Sequence, residues 1–418
     1  MPNQFGDGRF RFALGIEDTF IPQIQAARRA LDEYDLTHHY WLWREDLDLV
    51  AGTGASTLRY GFPWYRVNPA PGRFSWGWTD AVVDRLSELG IEVIVDLMHY
   101  GTPTWLENEF MNRDYPKRVA EYAFRAAERY GDRLTAWTPL NEPQINAMYC
   151  GEEALWPPYF RGDDGYLQVQ RALCEGIVLT QSAISEATSG RATFVHVEAM
   201  LRYAEVEGFH HERLDLLRER RFLALDLVTG SVGEGHALLP YLREHGITDD
   251  ELQWFHSHTA QPDVIGLNYY PVWGTEEHYP GEDGQPAMRR RNDWTTGLEE
   301  LIREFVERYR RPVMVTETSS DGSNEQRLAW LDESIALARR LREEGIPLVG
   351  YTWWPLFDVI EWQYREALTP VEQHVIPMGL YNLEPDSVGR FQRVHTPAVD
   401  RFRDLATAGL PDIAPTES

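Results

Sequence analysis

The sequence predicts an α/β fold: a single (β/α)8 TIM barrel over residues 1–410, followed by a frayed tail over 411–418. Three observations lead there. Eight short apolar runs recur along the 418-residue chain, and longer amphipathic segments follow most of them. Strands alternating with helices build parallel sheets, and eight of them suit a closed barrel. No Ser/Gly linker or low-complexity run divides the chain, and barrels of this size routinely form one domain.

The predicted strands are Phe10–Ile16, Thr57–Tyr60, Glu92–Leu97, Leu134–Leu140, Ala192–Val197, Val264–Asn268, Val313–Thr316 and Leu348–Trp353. Helical patterns cover Trp41–Ala51, Trp78–Leu89, Pro116–Tyr130, Tyr166–Thr188, Asp249–His258, Leu298–Tyr309 and Asn324–Glu344. Gly90, Gly131 and Gly345 stand where helix C-caps fall. Thr79 or Asp80 could cap the start of the second helix through a side-chain oxygen. The pattern is weakest over Leu214–Val228.

Composition narrows the partners. The formal net charge of −26 repels phosphate backbones and anionic lipid, so neither nucleic acid nor a membrane surface is an expected partner. A hydrophobic fraction of 43% suits a large buried core, and the 15 Trp suit that core as well as they suit stacking on sugar rings. The opening MPNQFGDGRFRF has no basic region followed by an apolar run, which reads against a secretory signal. No stretch reaches the roughly 18 consecutive apolar residues of a spanning helix. Cys150 and Cys174 show no zinc spacing with histidine, and no HExxH-like pair occurs. A cytoplasmic protein with reduced thiols, no metal and no cofactor is the expectation. His38 with His39, and His210 with His211, read as surface pairs. The oligomeric state stays open.

In a barrel of this kind, side chains just past the C-terminal ends of the strands converge on one face. That filter selects Arg59, His99, Asn141 with Glu142, Asn268 with Tyr270, Glu317, and Trp353 with Trp354. Two are carboxylates, Glu142 after the fourth predicted strand and Glu317 after the seventh. Cleaving a glycosidic bond needs one carboxyl to protonate the leaving oxygen and another to attack or to activate water. A separation of about 5–5.5 Å allows direct attack and retention, and a wider one admits water and inverts. An ionised Glu317 would raise the pKa of Glu142 by like-charge repulsion and keep it protonated. Arg59 is the candidate that holds Glu317 ionised. Once Glu317 carries a sugar its charge is gone, and Glu142 can ionise and serve as base for water.

The segments around these residues resemble glycoside hydrolase family 1, the β-glucosidase family, in order across nearly the whole chain. Leu58-Arg-Tyr-Gly-Phe-Pro-Trp64 looks like that family's R-F-S-x-x-W, and Asp96-Leu-Met-His99 like its T-L-x-H. Asn141-Glu-Pro143 matches the acid/base motif, and Thr316-Glu317 the T-E of the nucleophile. Asp263-Val-Ile-Gly-Leu-Asn-Tyr-Tyr270 is close to D-F-I-G-L-N-Y-Y. Trp354-Pro-Leu-Phe-Asp-Val-Ile-Glu-Trp362 resembles W-S-L-L-D-N-F-E-W. N-E-P alone is a weak signal; the last two stretches together are strong.

The resemblance implies a retaining β-glycosidase that hydrolyses a β-linked glycoside, small or oligosaccharide, through a covalent glycosyl-enzyme intermediate. Glu142 would be acid/base and Glu317 nucleophile, supported by Arg59, Asn141, Asn268 and Tyr270. Asn141 would contact the sugar 2-hydroxyl and Tyr270 would donate to Glu317. His99 and Glu361 would bind sugar hydroxyls, with Trp354 and Trp362, and Trp353 beside them, supplying ring contacts. Transglycosylation on the same site, or a non-catalytic sugar-binding barrel, are the alternatives.

Departures from the family pattern fall on the sugar-holding shell. Pro22 stands where the family has a sugar-gripping Gln, and Gln23 follows it. Glu17 and Asp18 add carboxylates nearby, Tyr100 replaces a Trp after His99, Pro139 replaces a Thr, and Thr318-Ser319 replaces Asn-Gly. The sugar is therefore open; the extra carboxylates disfavour a phosphorylated sugar and make an amino sugar a candidate.

Overall fold

Eight parallel strands close into a barrel in the order in which they occur along the chain. They are β1 Arg11–Gly15, β2 Thr57–Gly61, β3 Glu92–Asp96, β4 Ala136–Thr138, β5 Thr193–Ala199, β6 Val264–Asn268, β7 Val313–Thr318 and β8 Leu348–Trp353. All eight expected strands are present in this computed structural model, which describes residues 4–282 and 284–415. Their near-continuous apolar sequence follows from burial on both faces. Ala13, Ile94, Ala136, Val195, Val197, Val264, Met314 and Val349 fill the interior together with Phe5, as a cluster separate from the outer core. β4 is shorter than expected because Pro139 offers no N–H to the ladder.

The outer ring consists of α1 His39–Gly52, α2 Gly77–Leu89, α3 Tyr115–Tyr130, α4 Gly162–Thr188, α5 Asp249–Ser257, α6 Trp294–Tyr309, α7 Asn324–Glu343 and α8 Pro397–Ala408. Capping boxes start α5 and α7, with Thr248 paired to Glu251 and Ser323 to Gln326. α8 was not among the expected helices, although Thr396 accepts from the Ala398 N–H and Pro397 opens its first turn. Its short amphipathic pattern lies beyond the last strand, where strand–helix alternation no longer helps. The stretch over Leu214–Val228 holds two helices, Glu212–Arg220 and Leu223–Val228. Next to it, Arg202–Glu205, Thr275–Pro280 and Pro286–Arg291 form a small separate sheet.

Several local expectations are corrected. Gly90 and Gly345 are left-handed as helix C-termini require, but Gly131 is right-handed at φ −64°. There the constraint is space, since a Cβ would lie 2.5 Å from the Ala127 carbonyl oxygen. α2 begins at Gly77 with no side-chain cap; Asp80 instead accepts from Arg129 and Tyr130. His39 is not a surface residue: it is fully buried, with Nδ1 2.8 Å from Asp46 and Nε2 2.7 Å from the Tyr60 hydroxyl. The expected tail is tied down at its start. Arg342 donates to the Pro411 carbonyl at 2.6 Å and the Ile413 N–H to that of Gly8, while 416–418 lie outside the described residues. No described helix is long and apolar enough to cross a membrane.

One glycine couples the barrel to its mouth. A Cβ on Gly15, the last residue of β1, would lie 1.7 Å from the indole ring of Trp354, which is wholly buried. Gly15→Ala is therefore expected to force the indole aside and to cost about 1–3 kcal/mol, the usual range for overpacking. Urea unfolding checks the stability, and a near-ultraviolet circular dichroism change reports the displaced ring.

Candidate active site

Strand register sets the site. β2 pairs Gly61 with Asp96, and β6 pairs Asn268 with both Ala199 and Glu317. A bulge in β7 between Val315 and Glu317 re-aims the strand at its C-terminal end, a common device at barrel rims. Thr316 Oγ1 donates to Asn268 Oδ1 at 2.7 Å, which turns the Asn268 amide nitrogen toward Glu142.

Arg59 is the hub. One of its terminal nitrogens donates to Glu317, and the other donates to Asp96 and, at 2.7 Å, to Asn141 Oδ1. The guanidinium carbon lies 4.8 Å from the centre of the Trp354 ring. Burial would lower the Arg59 pKa, but Asp96 and Glu317 hold it above its usual value, so the cation is permanent. Tyr270 adds a second donor to Glu317, 2.9 Å from Oε2.

Glu142 lies across the site on the turn that leads out of β4. Its backbone is left-handed, φ 46° and ψ 65°, a conformation that costs a non-glycine residue about 1–3 kcal/mol. The Glu142 N–H donates to Val197, its carbonyl accepts from Asn146 to begin a short helix, and Pro143 fills the first helical position. Asn268 donates to Glu142 Oε1 at 2.8 Å, and the Tyr100 hydroxyl donates to Oε2.

Burial raises both carboxyls above the ordinary Glu range. At Glu317 the adjacent guanidinium opposes that rise and favours the anion. Among the described residues no cation bonds Glu142 directly; Tyr100 and Asn268 oppose the rise there, and the buried Glu198 carboxylate adds to it. The main cause of the upward shift at Glu142 is thus burial, rather than the repulsion from Glu317 expected from sequence. Glu142 keeps 6% and Glu317 4% of its surface, so both retain a face toward the barrel mouth.

A second group surrounds His99. Asn141 Oδ1 accepts from Arg59 and from Asn268, which fixes its amide nitrogen 2.9 Å from His99 Nε2. That nitrogen must then accept, so the ring carries its proton on Nδ1, 2.9 Å from Asp18 and 3.2 Å from Asp96. Burial works against a charged ring and the carboxylates of Asp18, Asp96 and Glu17 favour one, but Nε2 has no place for a second proton while Asn141 faces it. Burial pushes Asp18 up to about 6 against the pull of His99. Trp354 stacks on His99 at 5.7 Å and donates to Glu17 at 2.8 Å. Asp18, Asp96 and His99 bring one ligand atom each within 4.8 Å of one another, a spacing open to a metal ion, though Arg59 competes for Asp96.

The structure thus brings together Arg59, His99, Asn141, Glu142, Asn268, Tyr270, Glu317 and Trp354. Trp362 stands beyond Tyr100, 5.6 Å from its ring and 5.1 Å from that of Trp156. Trp353 and Glu361 have other partners. Trp353 is wholly buried in the outer core, and the Glu361 carboxylate pairs with His374 at 2.5 Å. Pro22 is buried and Gln23 is exposed. Sequence reasoning missed Glu198, which stands one residue past an expected strand and is the kind of residue the strand-end filter selects. It also left Tyr100 without a partner.

Comparison with known proteins gives the family and the fold. Residues 7–367 match the model of glycosyl hydrolase family 1. A bifunctional beta-D-glucosidase/beta-D-fucosidase of Bifidobacterium breve is 26% identical over 392 residues, covering 80% of this chain and 83% of that protein. Beta-glucosidase A of Thermotoga maritima is 25% identical over 364 residues, 78% of each. The solved family 1 β-glucosidase from Thermotoga maritima superposes with a TM-score of 0.78 at 18% identity, covering 97% of this chain and 98% of that one, which speaks to the fold. With the family model matched from the first strand past the last, the chain belongs to glycosyl hydrolase family 1 and is a glycoside hydrolase.

Proposed function

We propose that this hydrolase cleaves β-glycosides with retention, Glu317 attacking the anomeric carbon and Glu142 serving as acid and then base. The observation that carries the reading is the asymmetry of the two carboxyls. Glu317 bonds a permanent cation and a phenol, which suits an anionic nucleophile. Glu142 is buried without a bonded cation, which suits a carboxyl that holds a proton. Attack turns Glu317 into an ester and removes its charge, and Arg59 is then left to Asp96 and Asn141. Glu142, having given its proton to the leaving oxygen, is an anion ready to take one from water. Asn141, fixed by Arg59, is placed for the sugar 2-hydroxyl. A cytoplasmic setting fits the two buried free thiols, Cys150 and Cys174.

Release of nitrophenol from aryl β-glucoside, galactoside, fucoside, mannoside, xyloside and glucosaminide tests the reading and names the sugar. Glu317→Ala is expected to abolish turnover. Glu142→Ala should lower it by about 10²–10⁴-fold where the leaving group needs a proton. With azide, Glu142→Ala should give the β-azide and Glu317→Ala the α-azide; the opposite assignment contradicts the roles. A wild type silent on every glycoside contradicts the activity.

The pH profile should be a bell. Rate falls as acidification protonates Glu317 and as alkali ionises Glu142, and burial moves both limbs above ordinary carboxylate values. Arg59→Met removes the charge that favours the Glu317 anion, so the acid limb of kcat/KM should move to higher pH. An unmoved limb would mean that Arg59 does not govern Glu317.

A further inference from the structure

The two oxygens of Glu142 are not equivalent. Asn268 Oδ1 is bound to Thr316, so its amide nitrogen always presents N–H to Glu142 Oε1. A proton on Oε1 would face that donor, and Oε2 is left as the oxygen able to carry it. The atom facing Oε2 is the hydroxyl of Tyr100.

Tyr100 is held with little freedom. Its ring is buried and its backbone is left-handed at φ 78°. The strand-like bridge to Phe20 and the bond from Asn146 Nδ2 to its carbonyl, 3.2 Å, fix the main chain. The rings of His99, Trp156 and Trp362 lie at 4.8, 5.0 and 5.6 Å. Only the hydroxyl hydrogen can turn. The charged and titratable groups around Glu142 come from several strands: His99 after β3, Glu198 in β5, Tyr270 after β6 and Glu317 in β7. Tyr149, on the turn after the short helix that follows Glu142, also feels its charge. Of these, Tyr100 alone bonds Oε2.

We propose that Tyr100 is a positioning residue that works as a proton-switch partner of Glu142. Its hydroxyl donates to Oε2 when the carboxyl is ionised, and turns away so that Oε2 holds the proton when it is not. The inference rests on Glu142 being the acid/base. In the first half-reaction the Oε2–H bond breaks, and its proton goes to the glycosidic oxygen as the bond from that oxygen to the anomeric carbon breaks and a Glu317 oxygen bonds that carbon. Tyr100 then donates to the new carboxylate. In the second half a water oxygen bonds the anomeric carbon as the ester bond from that carbon to Glu317 breaks and returns its carboxylate; the water O–H breaks, its proton returns to Oε2, and the Tyr100 bond is released. Tyr100 keeps its own proton throughout. Its effect is to favour the base form of Glu142, against the burial that favours the acid form, so that one carboxyl can serve in both halves.

The test is a titration of the Glu142 carboxyl by ¹³C NMR, in protein labelled at the Glu side-chain carboxyls and assigned against Glu142→Gln. Wild type is compared with Tyr100→Phe and with 3-fluorotyrosine at position 100, a stronger donor in the same ring. Loss of one hydrogen bond to a charged group should raise the Glu142 midpoint in Tyr100→Phe by roughly one pH unit, and the fluorinated residue should lower it. The alkaline limb of kcat/KM for a glycoside with a poor leaving group should move with the midpoint. Unchanged midpoints, or midpoints that move the same way in both proteins, overturn the proposal. The fluorinated protein keeps the test decisive should Tyr100→Phe fold poorly. Because the titration needs no turnover, a failed activity panel and a failed switch are told apart.

Discussion

The contact on which the rest of the site depends is the buried ion pair between Arg59 and Glu317, shared with Asp96 and Asn141. Its members come from β2, β3, β7 and the turn after β4, so the pair forms only when the barrel has closed. Arg59 and Asp96 are wholly buried. A charge in such a place is tolerated because it is paired, and removing one partner of a buried pair costs about 3–5 kcal/mol. The guanidinium also orients Asn141, and Asn141 in turn determines which nitrogen of His99 carries the proton. One cation therefore aligns a nucleophile, an amide and an imidazole.

Across from it, the environment of Glu142 is built from neutral donors. The contrast gives two carboxyls of the same kind different work, which is how one fold performs acid and base chemistry at one pH. The left-handed backbone at Glu142 and the bulge before Glu317 are local departures from regular structure, and each sits at a carboxyl. Such strain persists where the surroundings over-determine it. Here Val197, Asn146 and Pro143 hold the Glu142 turn, and the pairing with Asn268 holds the bulge.

Much of this was legible in the sequence for a physical reason: a strand buried on both faces has a short, dense apolar signature, and its end is marked by the first polar residues. That is why Arg59, His99, Asn141, Glu142, Asn268, Tyr270 and Glu317 could be found without coordinates. What escaped depends on where side chains turn. Trp353 and Trp354 are neighbours in sequence, yet one packs in the outer core and the other over Arg59, because successive side chains leave a strand on opposite faces. Glu361 lies in a loop whose path no periodicity reports, and it meets His374. His39 follows His38 as though on a helix surface, but Asp46 and Tyr60 draw it inward. The bond between Tyr100 and Glu142 joins residues 42 apart across two strand ends, a distance that local pattern does not span.

The central claim is that Glu317, held as an anion by Arg59, forms the bond to the sugar. The most direct measurement is mass mapping after incubation with a 2-deoxy-2-fluoro aryl glycoside of whichever sugar the enzyme turns over, since the fluorine slows hydrolysis of the ester. The account predicts one fluoroglycosyl unit on the peptide that contains Glu317, and none when Glu317 is replaced by Gln. A label on Glu142, or turnover with inversion and no adduct, would contradict it.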